Sequence, residues 1–242
     1  MSRSPYRCAD PVAMKTLHMI TADPQRTPTL TMFAQPDYFL FTGAANCTAP
    51  CITVPTTPPT FAWNHGGIQP EIAQTWLGIV GPGVRNLGQD NTTWTDHTDW
   101  RPTILSLVGL DDTYTHDGRV VVEPLFSWAV PQALRAHHET LLRLGAAYKQ
   151  LNAPFGEFST DVLAASTRAL NSGTVTDDST YAAIEGQIES LTSNRDSLAA
   201  QIRTALDDAA FRGRALDNQQ ATAFITQAQT LIERARTLAT GG

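Results

Sequence analysis

The stretch Phe61-Ala62-Trp63-Asn64-His65-Gly66-Gly67, followed by Trp76-Leu77-Gly78-Ile79-Val80-Gly81-Pro82-Gly83-Val84, governs the first reading of the fold. Each half is a short apolar run ending in a glycine turn, the pattern of a buried strand that delivers its last residues into a loop. His65 stands beside two glycines, so its imidazole can approach a metal or a phosphate with no Cβ in the way. Working outward, residues 29–33, 38–42, 61–63, 75–80 and 119–122 read as strands broken by Gly and Pro. The expected fold class is α/β over residues 1–128, followed by an α-helical region over residues 129–242.

One helix stands out inside the first half. Asp99-Trp100-Arg101-Pro102 opens it, with Pro102 in the first turn; Ile104, Leu105, Leu107 and Val108 supply an apolar face, and Gly109 is placed to close it. Beyond Pro131 the pattern turns helical throughout. A helix is expected from 131 to 151, ended by Asn152-Ala153-Pro154-Phe155-Gly156, and another from Ser159 or Thr160 to Asn171-Ser172-Gly173. Ile184, Ile188, Leu191, Arg195, Leu198, Ile202, Ala205 and Ala209 then alternate by four and three, a heptad seam with one polar member, Arg195. After Gly213 the spacing repeats in Phe224, Ala228, Leu231, Ala235 and Leu238, which implies a helical hairpin of coiled-coil character.

Composition excludes several function classes. A net charge of -6 argues against a nucleic-acid partner. No apolar run approaches the roughly 20 residues that span a bilayer, so no membrane span is expected. Arg3 and Arg7 have no apolar segment behind them, so the N-terminus does not read as a signal peptide. Of the three cysteines, Cys47 and Cys51 bracket a small Thr-Ala-Pro loop; they are either a disulfide or two thiols, and Cys8 stands apart.

Three segments, in order, resemble the C-terminal part of the catalytic domain in the alkaline phosphatase superfamily, above all its phosphodiesterase and nucleotide pyrophosphatase-like members. Asn64-His65-Gly66-Gly67 is similar to the turn that holds a late zinc ligand. The run 76–84 resembles the strand ending in Gly-Pro-Gly that follows it. The run 99–110, with Asp117-Gly118-Arg119 after it, resembles the helix that packs beside the site and its exit. The resemblance covers about residues 15–125 and implies a partial doubly wound sheet within residues 1–128 and metal-dependent hydrolysis of phosphate mono- or diesters at a two-zinc site. It assigns His65 as a metal ligand and leaves Asn64 as a neighbour for its second nitrogen. The family's nucleophile and remaining ligands lie upstream of this turn, so the chain reads as the C-terminal portion of such an enzyme, inactive alone, with a phosphoester substrate when complete. Export to the periplasm or outside the cell is implied if it belongs to a longer exported protein.

Other candidates have structural readings. Asp96-His97 mimics the family's Asp-His pair but follows His65, and Asp96, Thr98 and Asp99 suit turn and cap positions. His18, Thr21 and Asp23 precede His65 without the strand, nucleophile and helix context. His116-Asp117-Gly118 reads as a turn, and the adjacent His137-His138 as a solvated helix face. The alternative function is a non-catalytic interaction protein that docks or self-associates through its helical hairpin.

Overall fold

A computed structural model describes residues 6–34, 67–174 and 176–241. In chain order the elements are β1 (Tyr6–Ala9), α1 (Pro11–Thr16), β2 (Thr31–Ala34), α2 (Pro70–Ala73), α3 (Trp100–Val108), α4 (Gln132–Arg135), α5 (His138–Asn152), α6 (Glu157–Leu170), α7 (Ser179–Phe211) and α8 (Asn218–Thr240). The four long helices α5 to α8 pack on one another as a bundle, and α8 touches the other three.

The heptad stripe explains this packing. Ile184, Ile188, Leu191, Leu198, Ile202 and Ala209 of α7 are buried, and so are Phe224, Ala228, Leu231 and Ala235 of α8. Residues near the start of α7 (Ala183, Gly186, Gln187) line one groove with Arg234 and Thr237 near the end of α8, so the two run antiparallel. Gly213 at φ 66 takes the left-handed conformation that turns the chain between them. Asp217 then caps α8 by accepting from Gln220 N at 2.7 Å. Leu141, Leu144, Tyr148 and Leu151 of α5 and Phe158 and Val162 of α6 complete the core. The seam is therefore spent inside the bundle. Leu191 and Leu198 meet this core.

The helix boundaries follow local chemistry. His137 sits at φ 56, so the helix expected over 131–151 breaks there into α4 and α5. The helix expected to begin at Ser159 or Thr160 begins two or three residues earlier, at Glu157 after Gly156.

The sheet is the correction. The described residues are mostly helical, and strand is confined to the antiparallel ladder of β1 with β2, in register Tyr6 to Ala34 through Ala9 to Thr31. An α/β doubly wound sheet is not present among them. Residues 29–33 overlap β2, whereas 38–42 and 61–63 lie outside the described residues, as do His65, Asn64, Cys47 and Cys51. Residues 75–80 enter no ladder among the described residues, and Val80 is 99% exposed. Residues 119–122 are buried, but their amides find side chains in place of a neighbouring strand: Arg119 N donates to Asp99 Oδ1 at 2.8 Å and Val121 N to Thr103 Oγ1 at 2.9 Å. A short apolar run with a β-branched bias reads alike for a strand and for a buried connector. Val120, Val122 and Leu125 of this connector join the same core as the helices.

Ile202 has no exposed surface on α7. Ile202→Ala is expected to cost about 2–5 kcal/mol of stability, read as a lower urea midpoint with an unchanged m-value.

Candidate functional site

Sequence reading points to the region around 76–84 and 99–119, and there the chain builds upward from one carboxylate. Asp96 opens a 3-10 turn, His97–Asp99, by accepting from Thr98 N at 2.8 Å, and Asp99 Oδ2 accepts in return from Asp96 N at 3.0 Å. The turn leads directly into α3, which Gly109 closes in the left-handed conformation at φ 69 while Leu110 N reaches Leu105 O at 2.9 Å. Lys149 of α5, almost fully buried, meets Asp99 Oδ1 at 2.8 Å and Asp96 Oδ2 at 2.9 Å. Burial works against charge on Asp96, but Lys149 and the Thr98 hydroxyl overcome it and hold the carboxyl below the usual range. Arg119 pairs in a fork with Glu123 at 2.7 and 2.9 Å. Gly118 passes so close to Thr98 that a Cβ would stand 2.1 Å from its carbonyl oxygen, which accounts for glycine in Asp117-Gly118-Arg119.

This polar frame presents an apolar groove of about 420 Å³. One wall is the run from Leu77 to Val84, which ends in a turn at 81–84, the other is α3 through Trp100, Ile104, Leu107 and Val108, and Val121 lines it with them. Its two polar side chains, Asp99 and Thr103, are already bonded to the backbone of 119–121, so the groove offers little hydrogen-bonding chemistry of its own. Trp76, Val80, Trp100, Ile104, Val108 and Leu110 remain exposed around it.

A second polar cluster lies inside the bundle. Arg195, without exposed surface, donates to Thr16 O at 3.2 Å and to Asn152 Oδ1 at 3.4 Å, and its cation stands 5.7 Å from the Phe158 ring centroid. Its Nε is 2.8 Å from Asp196 Oδ1, but without hydrogen-bond alignment. His18, at φ 55, brings Nε2 to 3.0 Å from Arg195 Nη1 and 2.8 Å from Asn152 O. This nitrogen serves only one of the two at a time: in one tautomer it accepts from the guanidinium, which only donates, and in the other it donates to the Asn152 carbonyl. Burial first, and then the Arg195 charge, depress the His18 pKa below its ordinary value.

The remaining candidates separate. Asp96 and Asp99 are caps, as their positions imply, and His97 lies 6.0 Å from Trp100, ring to ring. Thr21 and Asp23 form an exposed turn with Thr27 and Arg26. His116 is buried between Tyr114 and Phe211, with Asp112 at 3.4 Å and Asp207 at 3.9 Å. His137 and His138 are exposed. Among the described residues no group of three or more His, Cys, Asp or Glu is placed to hold a metal ion. Sequence reasoning passed over Lys149, although Leu141, Gly145 and Lys149 follow one another at four-residue steps on the buried face of α5.

Comparison with protein-family models, with curated proteins and with solved structures finds no match.

Removing Lys149 leaves two carboxylates facing each other in a buried joint. Lys149→Met is expected to cost about 3–5 kcal/mol in urea denaturation at neutral pH. His18 gives a pH signature. With its folded pKa below the unfolded one, the unfolded chain binds more protons at acid pH, so stability falls as pH drops below about 6.5. His18→Gln should remove that part of the slope in denaturation curves recorded from pH 5 to 7.

Proposed function

We propose that this chain is the C-terminal portion of a metal-dependent phosphoester hydrolase, a phosphatase or phosphodiesterase, with His65 as one zinc ligand. The observation that carries the reading is the assembly around one groove of the described segments that resemble the alkaline phosphatase superfamily. Residues 76–84 and 99–110 form its walls, and the connector after Gly118 is tied to α3 by Asp99 and Thr103. Neighbouring segments of one catalytic domain would be expected to meet in this way.

The described residues do not themselves supply a ligand set for zinc. What they supply is scaffold. The Asp99–Lys149 joint fixes α3, and the apolar groove beside it is the face against which the rest of the catalytic layer, carrying nucleophile and further ligands, would pack.

The assembly that contains this chain, purified from its native source, should carry stoichiometric zinc and hydrolyse a nitrophenyl phosphodiester. His65→Ala should remove bound metal and lower turnover by at least about 100-fold, as expected for loss of one ligand from a site that needs three or four. Native material with neither zinc nor turnover overturns the reading. It would leave the apolar groove as the docking surface of a non-catalytic protein.

A further inference from the structure

The unit formed by β1, α1 and β2 sits on α6 and α7, and one cluster of acids lies at that junction. Asp10 caps α1, its Oδ1 accepting from Val12 N and Ala13 N at 3.0 Å each. Its Oδ2 accepts from the Tyr181 hydroxyl of α7 at 2.8 Å. Four residues further along α7, Glu185 is 7% exposed and neither of its carboxyl oxygens has a hydrogen-bond partner among the described residues. Ser166 of α6, wholly buried, is equally unpartnered by that measure.

The groups acting on Glu185 are Asp10 from the start of α1 and Ser166 from α6, while Tyr181 and Asp178 lie near it on α7 and at its cap. All are acids or neutral hydroxyls, with no base in the set. Burial, and after it the Asp10 carboxylate, push the Glu185 carboxyl up to about 7. A carboxylate in this position would be desolvated, short of donors and next to a second negative charge.

We propose that Glu185 is a proton-operated latch for the N-terminal unit. As the neutral acid it offers a hydrogen to the Asp10 carboxyl and lets α1 seat on α6 and α7. As the carboxylate, its proton passed to solvent, it repels Asp10 and loosens that seat. The apolar cluster under the latch is Ala9, Ala13, Met14, Leu17 and Phe33 against Leu163 of α6, so release uncovers apolar surface. The sign follows from linkage. The folded state holds its proton to higher pH than the unfolded state, so the latch contributes fully below the ordinary glutamate range. That contribution is lost as pH rises through about 7.

The test is hydrogen exchange of the Met14 and Leu17 amides, which bond to Asp10 O at 2.7 Å and Ala13 O at 3.0 Å, in the full chain and in Glu185→Gln from pH 5 to 8. After correction for intrinsic exchange, the ratio of opening constants, wild type over Glu185→Gln, should rise roughly 10- to 100-fold between pH 5 and 7 and then level off. His18 acts alike in both proteins, so the ratio isolates Glu185. A carbon-13 titration of the Glu185 carboxyl in the wild-type chain gives an independent reading, expected to have its midpoint near 7. A constant ratio, or a midpoint in the ordinary glutamate range, overturns the proposal.

Discussion

The Asp99 carboxylate, fully buried, is the joint on which the arrangement before the bundle depends. It takes the Lys149 ammonium from α5, the Asp96 amide from its own turn and the Arg119 amide from the connector. Such a group is tolerable in the interior only with its acceptor capacity filled. Three elements distant in sequence must therefore be in place together, and α3 is held at a fixed position against the helices. The groove beside α3 inherits its shape from that requirement.

Inside the bundle, Arg195 has a comparable role with the opposite charge. A guanidinium at a seam position is expensive to bury, and here carbonyls of Thr16 and the Asn152 amide take its hydrogens while Phe158 covers its face. Thr16 lies at the end of α1, so the one polar residue of the heptad seam also addresses the N-terminal unit. A polar residue at such a position sets register and partner at a cost in stability. The neutral His18 beside it fits the same logic, because a second cation there would oppose the first.

The helical half of the fold was legible because its signal is long. Eight seam positions over α7 and five over α8 agree with one period, and in the first half Asp96 and Gly109 mark the ends of a turn and of α3 by chemistry that acts locally. The first half misled for the opposite reason. Runs such as 75–80 and 119–122 are too short for periodicity to decide, and whether their amides meet another strand or the side chains of Asp99 and Thr103 is settled by residues twenty positions away. Single residues were read well where the backbone alone set their role. Lys149 and Glu185 were not, because a charge on a helix reads as solvated until its buried neighbours are known. His65, on which the hydrolase reading rests, lies outside the described residues.

The bonds from Arg119 and Val121 to Asp99 and Thr103 join a helix to an extended chain, and such elements rarely share a repeat. Four residues of helix advance about 6 Å. Two residues of extended chain advance about 6.6 Å. The two rulers agree at this one interval, so α3 serves as a template that accepts alternate residues of the connector and turns those between them the other way, Val120 and Val122 into the common core. An inserted or deleted residue in the connector would shift both contacts at once and present the wrong face to the bundle. The connector is thus measured by the helix it lies on, and its length is as much a part of the fold as its composition.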